Sequence, residues 1–206
     1  MGNLLRNMLV TSLIINSFSC YKKVEKMRRI EVVEFKINTP ISNATIDFRK
    51  LGDFAPYCVC YWPEVIFTKQ TDANGICEVT ENEFNRANGG IFISKENFWT
   101  NESYVIENRY QLDFIGQVNL HLVSTKRYPE KALMNILCKG ERATSATNNG
   151  YIFLPYDSTF GYTAFGGQIN SFTWEISDSN KVLIESGGPI QKKILKSGIT
   201  DVEIKF

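Results

Sequence analysis

Apolar and polar residues alternate with a period of two along most of this chain, and this pattern restricts the fold more than any other feature. Successive side chains on a β-strand point to opposite faces. The alternation therefore predicts strands with one face on a core and the other toward solvent. Five such apolar sets are Ala44, Ile46 and Phe48; Tyr110, Leu112 and Phe114; Val118, Leu120 and Leu122; Phe172, Trp174 and Ile176; and Val202, Ile204 and Phe206. The sequence predicts an all-β protein made of antiparallel sheets.

Turn sequences rich in Asn and Gly separate these runs. They are Asp72-Ala73-Asn74-Gly75, Asn88-Gly89-Gly90, Asn148-Asn149-Gly150, Gly166-Gly167 and Gly187-Gly188-Pro189. Asn and Gly tolerate the left-handed backbone of tight turns, so each is predicted to be a turn between strands. The segment 80–87 is typical of a short helix, because Thr80-Glu81-Asn82-Glu83 fits a capping box. Many short strands with frequent turns predict β-sandwiches.

The composition excludes two broad classes of protein. The chain has 206 residues, of which 43% are hydrophobic, and its formal net charge is +1. Disordered chains combine low hydrophobicity with high net charge, so this chain is expected to fold. Charge-driven nucleic-acid binders have a pI above roughly 9, whereas the pI here is about 7.6. No nucleic-acid partner is therefore expected.

The N-terminus has the organisation of an export signal. A largely apolar stretch runs from Met8 to Phe18 and follows a single charge, Arg6. It is too short for a membrane span, which needs about 20 residues, but it fits the apolar region of a signal peptide. A plain secretion signal cut near Ser19 and a buried N-terminal helix are the alternatives.

The stretch ends in Ser17-Phe18-Ser19-Cys20, which resembles the lipobox of bacterial lipoproteins, although Ser17 stands where Leu is usual. The resemblance implies that residues 1–19 are a lipoprotein signal peptide and that Cys20 carries the lipid. It also implies a membrane anchor, which we expect at the outer membrane, on its periplasmic or its surface face. Residues 20–30 are rich in Lys and Arg and are predicted to form a basic tether near the membrane, with a linker that only adds solubility as the alternative.

A weak internal repeat divides the remaining chain into two halves. The first half has Pro40-Ile41-Ser42-Asn43-Ala44 and then Thr71-Asp72-Ala73-Asn74-Gly75; the second has Pro129-Glu130-Lys131-Ala132 and then Thr147-Asn148-Asn149-Gly150. This pattern resembles the carboxypeptidase-regulatory-like, transthyretin-like sandwich of Bacteroidetes surface and periplasmic proteins. The resemblance implies two tandem Ig-like (prealbumin-like) antiparallel β-sandwiches, at 31–113 and 114–206, each with seven strands and no catalytic role.

Four cysteines remain if Cys20 is the anchor. Cys58 and Cys60 are two positions apart, so on a strand they share a face, and the geometry disfavours a bond between them. Either one is able to reach Cys77 on a neighbouring strand. Two predictions stay open: a disulfide from Cys58 or Cys60 to Cys77, or buried free thiols. Cys138 has no assigned partner, and because the C-x-C spacing is not that of a zinc site, no metal and no cofactor are expected.

Tyr57, Tyr61 and Trp62 lie in an unusual aromatic segment between Pro56 and Pro63. On a strand, the two tyrosines would share one face and the tryptophan would take the other. Rigid aromatic rings form stacking platforms for sugars and hot spots for protein partners. The segment is therefore a candidate ligand-binding site, with core packing as the alternative.

His121 is the chain's single histidine, and its strand pattern directs it away from Leu120 and Leu122, toward solvent. No nucleophile-elbow or metalloprotease motif accompanies it, and no orienting acid or oxyanion loop is evident near it in the sequence. An envelope hydrolase that uses a cysteine with His121 is therefore the least favoured interpretation. The sequence favours a non-catalytic, membrane-anchored envelope lipoprotein that acts as a protein-interaction or scaffold module. A carbohydrate-binding surface lipoprotein is the alternative.

Overall fold

The computed structural model describes residues 25–51, 63–142, 146–154 and 157–206, with the backbone alone at 148–150. These segments form fourteen strands and one short helix. The elements are β1 (Met27–Glu34), β2 (Thr45–Lys50), β3 (Glu64–Gln70), β4 (Ile76–Thr80), α1 (Glu81–Arg86), β5 (Gly90–Ser94), β6 (Asn101–Ser103), β7 (Arg109–Leu112), β8 (Phe114–Val123), β9 (Leu133–Lys139), β10 (Ala146–Phe153), β11 (Ser158–Gly166), β12 (Ile169–Ser177), β13 (Leu183–Lys193) and β14 (Ile199–Lys205).

The strands form four sheets that make two sandwiches of the same topology. In the first half, a three-stranded sheet in the order β4-β1-β7 shares a core with a four-stranded sheet in the order β3-β2-β5-β6. In the second half, the orders are β11-β8-β14 and β10-β9-β12-β13, which repeat the first pattern strand for strand. The predicted fold class, all-β with two tandem Ig-like sandwiches, is confirmed. The domain limits at 31–113 and 114–206 stay predictions.

Two strand pairs depart from the predicted antiparallel arrangement. β1 pairs with β7 in parallel, and β8 pairs with β14 in parallel. In each half the chain passes through the other sheet before its last strand returns beside the first. A crossover of this kind is what allows two neighbouring strands to run in the same direction.

Each sandwich encloses its own cluster of buried apolar side chains. The largest fully buried members are Ile30, Ile46, Phe48, Ile91, Ile93 and Leu112 in the first cluster, and Leu120, Leu122, Met134, Ile136, Phe172 and Ile176 in the second. Full burial of a side chain of this size contributes about 1.5–3 kcal/mol. On β8 the leucines are buried while His121 between them points outward, as the alternation predicts.

The segment Thr71-Asp72-Ala73-Asn74-Gly75 forms the turn between β3 and β4, as predicted. The Thr71 hydroxyl donates to the carbonyl of Ile41 at 2.6 Å and accepts from the N–H of Ala44 at 2.9 Å, so it fixes the start of β2. The Asp72 carboxylate accepts two backbone N–H groups of the turn, each at 2.8 Å. Gly75 has a φ of 71°, and a Cβ there would lie 2.5 Å from a carbonyl oxygen of β1, so glycine is required.

The second copy of this motif is placed differently from the prediction. Ala132 does match Ala44, since each is buried just before a strand and accepts a backbone hydrogen bond, from Leu154 and Thr71 respectively. Leu154 is therefore the structural counterpart of Thr71. The prediction of a turn at Thr147-Asn148-Asn149-Gly150 is wrong, because this segment lies inside β10, where the pairing with β9 shifts register. A glycine inside a strand is commonly found at such an irregularity.

The predicted turn at Gly187-Gly188-Pro189 is also wrong. These residues lie within β13, at the edge of its sheet, where the Gly188–Pro189 peptide bond is cis. An edge strand accepts a proline because one of its sides makes no hydrogen bonds to a neighbouring strand.

The predicted capping box is confirmed at α1. The Thr80 hydroxyl accepts from the N–H of Glu83 at 3.1 Å, and the Glu83 carboxylate accepts from the N–H of Thr80 at 2.9 Å. Lys69 donates to the same carboxylate at 2.7 Å, and this hydrogen bond lowers the pKa of Glu83. In the described part of the chain, no helix has the length and apolar character needed to cross a membrane.

Candidate binding site at the tip of the second sandwich

A buried carboxylate lies where the two sandwiches meet. Asp113, between β7 and β8, is 3% exposed; it accepts from Gln168 Nε2 at 2.9 Å and pairs with Arg142 Nη2 at 3.1 Å. Arg142 also donates to the carbonyl of Gln111 at 2.7 Å. Gln168 and Arg142 belong to the second sandwich, so they hold it against the end of the first. Asp113, Arg142 and Gln168 are together called the joint.

Two ion pairs flank the joint. Lys36 Nζ lies 2.8 Å from Glu141 Oε1, and Lys196 pairs with Glu34. The hydrogen bond from Lys36 holds the pKa of Glu141 below its usual range. Each pair links a residue of the first sandwich with one of the second, so both pairs favour the arrangement that the joint holds.

Aromatic contacts complete this junction. The Trp99 indole N–H donates to the carbonyl of Ala164 at 3.3 Å, and its ring packs against Phe165 at a centroid distance of 5.3 Å. The rings of Phe98 and Phe114 meet edge to face at 5.0 Å. Buried polar groups and packed rings together stabilise one relative arrangement of the sandwiches.

The first strand of one sandwich ends at the joint, and the first strand of the other begins there. β1 runs from Met27 toward Glu34, which lies at the joint, whereas β8 leaves the joint at Phe114 and ends at Val123. A strand of ten residues spans about 33 Å at about 3.3 Å per residue. The loop that follows β8 therefore lies at the end of the second sandwich that is remote from the joint and from Met27.

A groove of about 680 Å³ opens at this remote end. The loop 124–132 and the end of β10 form its walls, and it is called the tip groove. Its lining includes the cationic and aromatic side chains of Lys126, Arg127, Tyr128, Lys131 and Phe153, together with two acidic residues, Glu130 and Asp157.

Hydrogen bonds hold the loop 124–132 in a defined conformation. Thr125 bonds to the carbonyl of Phe206 through its N–H, at 2.5 Å, and through its hydroxyl, at 2.6 Å. The N–H of Ser124 donates to the carboxylate of Asp157 at 3.0 Å, which ties the loop to the far wall of the groove. A groove held in this way binds a partner at a low cost in conformational entropy.

Glu185 orients two of the lining side chains. It pairs with Lys126 Nζ at 2.6 Å and accepts from the Tyr128 hydroxyl at 2.7 Å. The hydrogen bond from Lys126, followed by that from Tyr128, lowers the pKa of Glu185. The charge of Lys126 is thereby balanced within the protein.

Two other cations and one ring remain available to a partner. Phe153 is 75% exposed although it is apolar. None of the described residues forms an ion pair with Arg127 or Lys131. Aromatic rings and arginine are enriched in protein-binding hot spots, because the ring buries apolar surface against a partner and the guanidinium forms charge-assisted hydrogen bonds with a carboxylate.

Most of the sites predicted from the sequence lie outside the described residues. These are the lipid-attachment residue Cys20, the aromatic residues Tyr57, Tyr61 and Trp62, and the thiols Cys58 and Cys60. They stay predictions.

Cys77 and Cys138 are buried, and neither forms a disulfide with another described residue. Burial raises the pKa of Cys77 to about 11 and that of Cys138 to about 12. Since the thiolate is the reactive form, neither group is placed to act as a nucleophile. The disulfide predicted from Cys58 or Cys60 to Cys77 is not tested, because both possible partners lie outside the described residues.

His121 lies on the outer face of β8, and the structure gives it an orienting acid that was not evident from the sequence. Its Nε2 lies 2.9 Å from Asp201 on β14, and its Nδ1 lies 2.9 Å from the Thr159 hydroxyl on β11. The hydrogen bonds from His121 and then Asn119 lower the pKa of Asp201. The side chains of His121 and Asp201 are 39% and 69% exposed, so water competes for these bonds and the setting disfavours hydrolysis.

Within the described segments, no group of three or more His, Cys, Asp or Glu side chains is arranged to hold a metal ion.

The tip groove was missed by reasoning from the sequence. The segment Lys126-Arg127-Tyr128-Pro129, with two cations and an aromatic ring between strands, is the signal that points to it. No sequence signal marks Phe153, whose exposure is seen only in the folded structure.

No protein-family profile matches the chain, and no curated protein matches its sequence. Among solved structures, a minor pilin of Streptococcus agalactiae is 13% identical, with 87% of this chain and 94% of that chain covered and a TM-score of 0.33. A streptococcal ancillary pilin is 14% identical, with 89% and 63% covered and a TM-score of 0.32. A leucine-rich repeat protein of Bacteroides thetaiotaomicron is 8% identical, with 87% and 26% covered and a TM-score of 0.28. These similarities are too distant to indicate an activity or a partner.

Proposed function

We propose that the protein is a non-catalytic interaction module of the bacterial cell envelope and that the tip groove binds a protein partner. The observation that supports this most directly is that the exposed Phe153 ring and Arg127, a cation without a described partner, line the same groove, whose loop is fixed by hydrogen bonds. Burial of the ring and pairing of the guanidinium both favour association. A partner with an apolar side chain beside a carboxylate fits this chemistry.

The proposal includes a lipid on Cys20 that anchors the chain at the outer membrane. The joint supports this arrangement, because it holds the second sandwich on the side of the first that is remote from Met27. An anchored N-terminus would then leave the tip groove directed away from the membrane. The protein would act as a spacer with a binding end.

Photo-crosslinking tests the partner. A photo-reactive phenylalanine analogue in place of Phe153, in cells that make the full chain, is expected to join the protein to one specific envelope protein. Arg127→Ala should lower the yield of this adduct about tenfold, the size of a hot-spot contribution. The matched control carries the analogue in place of Gln117, which is exposed on the outer face of β8. Equal yields at the two positions, or an adduct that Arg127→Ala leaves unchanged, would contradict the proposal.

Cys20→Ala tests the anchor separately. The variant is expected to leave the membrane fraction and to lose the mass of the lipid, while its tip groove is unaffected. If membrane partition and mass do not change, the protein is not a lipoprotein, whatever the crosslinking shows.

A further inference from the structure

A second concave site lies on the outer face of the four-stranded sheet of the second sandwich. It has a volume of about 400 Å³ and is lined by residues of β9, β12 and β13. It is called the sheet pocket, and it shares no lining residue with the tip groove. The side chains that line it include those of Asn135, Leu137, Thr173, Glu175 and Ser186.

The strand register aligns four side chains across this face. Tyr151 on β10 is paired with Asn135 on β9, Asn135 with Glu175 on β12, and Glu175 with Ser186 on β13. The residues on either side of Asn135 and Glu175 are buried in the core, so these two point to the outer face. Three strand spacings of about 4.8 Å give the row a length of about 14 Å.

The polar groups of this row have unused hydrogen-bonding capacity. Asn135 Oδ1 is buried and accepts no hydrogen bond from any described residue. The Glu175 carboxylate and the hydroxyls of Thr173 and Ser186 likewise form no hydrogen bond or ion pair with any residue that the structure describes. A buried acceptor without a donor is costly, and a ligand that supplies the donor removes this cost.

The glycines of β13 keep one side of the pocket open. Gly187 and Gly188 both line it. Gly188 has a φ of 99°, and a Cβ there would lie 2.6 Å from the carbonyl oxygen of Phe172, so no other residue fits this backbone. The pocket is therefore a fixed feature of the sheet and does not depend on a side-chain rotamer at this edge.

The charges restrict the ligand. Among the described residues that line the pocket there is no lysine or arginine, and Glu175 supplies a negative charge, which disfavours an acidic ligand. Acceptors such as Asn135 Oδ1 and the Glu175 carboxylate require donors, which a hydroxyl-rich ligand has in excess. At the end of the row, the Tyr151 ring is 43% exposed and offers an apolar surface for stacking, and Lys181 Nζ lies 5.5 Å from its centroid.

We propose that the sheet pocket binds a neutral oligosaccharide that lies across the strands from Tyr151 to Ser186. Sugar hydroxyls donate to Asn135 and Glu175, hydroxyls of Thr173 and Ser186 complete the hydrogen bonds, and one sugar ring stacks on Tyr151. The length of the row favours several linked sugars over a single one. This site is independent of protein binding at the tip groove.

Titration of the full mature chain with a panel of neutral oligosaccharides, built from glucose, mannose, galactose, xylose or N-acetylglucosamine, tests the proposal. Binding is followed by calorimetry and by the fluorescence of Trp174, which lines the pocket and is 6% exposed. At least one member of the panel is expected to bind. Glu175→Ala and Asn135→Ala should each weaken its affinity about tenfold or more, the size expected for a lost charge-assisted or buried hydrogen bond. The control Gln117→Ala, on the outer face of the other sheet, should leave the affinity unchanged.

An oligosaccharide of uronic acids provides the second arm, and it is expected to bind at least tenfold more weakly because Glu175 repels its carboxylates. Binding of the acidic sugar as tightly as a neutral one would overturn the proposal. It would also be overturned if no neutral oligosaccharide binds, or if both pocket variants bind as the control does.

Discussion

Asp113→Ala is expected to loosen the joint while leaving both cores intact. The change removes a carboxylate that is 3% exposed and accepts from Gln168 at 2.9 Å while pairing with Arg142 at 3.1 Å. The Gln168 amide then loses an acceptor in a buried position, and the Arg142 guanidinium loses its counter-charge.

The size of the effect follows from the burial of the partners. Breaking a fully buried ion pair costs about 3–5 kcal/mol. The side chain of Arg142 is 27% exposed, so water recovers part of the loss. We therefore expect the free energy of unfolding to fall by about 2 kcal/mol, close to the cost of one lost hydrogen bond to a charged group.

Urea denaturation measures this change. With a slope of about 2 kcal/mol per molar urea, the midpoint should fall by about 1 M. NMR relaxation of the backbone amides should also show that the two sandwiches tumble more independently in the variant than in the wild-type protein. Asp113→Asn, which keeps an acceptor for Gln168, should have a smaller effect on both measurements.

Glu96→Ala is the matched control. Glu96 is an exposed carboxylate in the turn after β5, and its loss should change stability by less than about 0.5 kcal/mol. If Asp113→Ala shifts the midpoint no more than this control and the sandwiches still tumble together, the carboxylate does not hold the joint.

Three further predictions concern single residues. Gly75→Ala should destabilise the protein by about 2 kcal/mol or more in thermal or chemical unfolding, because φ is 71° and the new Cβ would meet a carbonyl oxygen at 2.5 Å. Gly161→Ala, where a Cβ meets nothing within 4 Å, is the control, and equal effects would contradict this account. Cys77, whose pKa is raised to about 11, should resist alkylation in the native protein and react after unfolding without reductant; a need for reductant would show the predicted disulfide instead. Carboxyl resonances should show Asp201 titrating below an ordinary aspartate, with His121→Ala raising its pKa toward the usual range. Because this pKa is lowered by folding, its contribution to stability is present above the unfolded pKa and is lost as the pH falls through the folded one; an unshifted Asp201 would refute the assignment.

Local sequence patterns predict the structure correctly where the hydrogen bonds and the side-chain directions involve residues that are close in the chain. The strands β2, β8 and β12 bury the alternate residues that the sequence marks as apolar. The capping box at Thr80 and the turn at Thr71-Asp72-Ala73-Asn74-Gly75 are present, because their hydrogen bonds join residues only a few positions apart. The two wrong turns, at Asn148-Asn149-Gly150 and Gly187-Gly188-Pro189, share one cause. Glycine permits a turn but also permits an irregular strand, and strand pairing decides between the two.

The sequence by itself determined the all-β class, because side-chain alternation follows from the covalent geometry of each segment. Its weak internal repeat predicted two sandwiches, although the second turn of that repeat lies inside β10. Only the tertiary structure decided the joint, the tip groove and the sheet pocket. Asp113 and Gln168 are 55 positions apart, and His121 and Asp201 are 80 apart, so no local signal joins them. The row from Tyr151 to Ser186 likewise exists because four strands pair in one register. Sites of this kind depend on which strands become neighbours, and the packing of the whole sandwich determines that strand order.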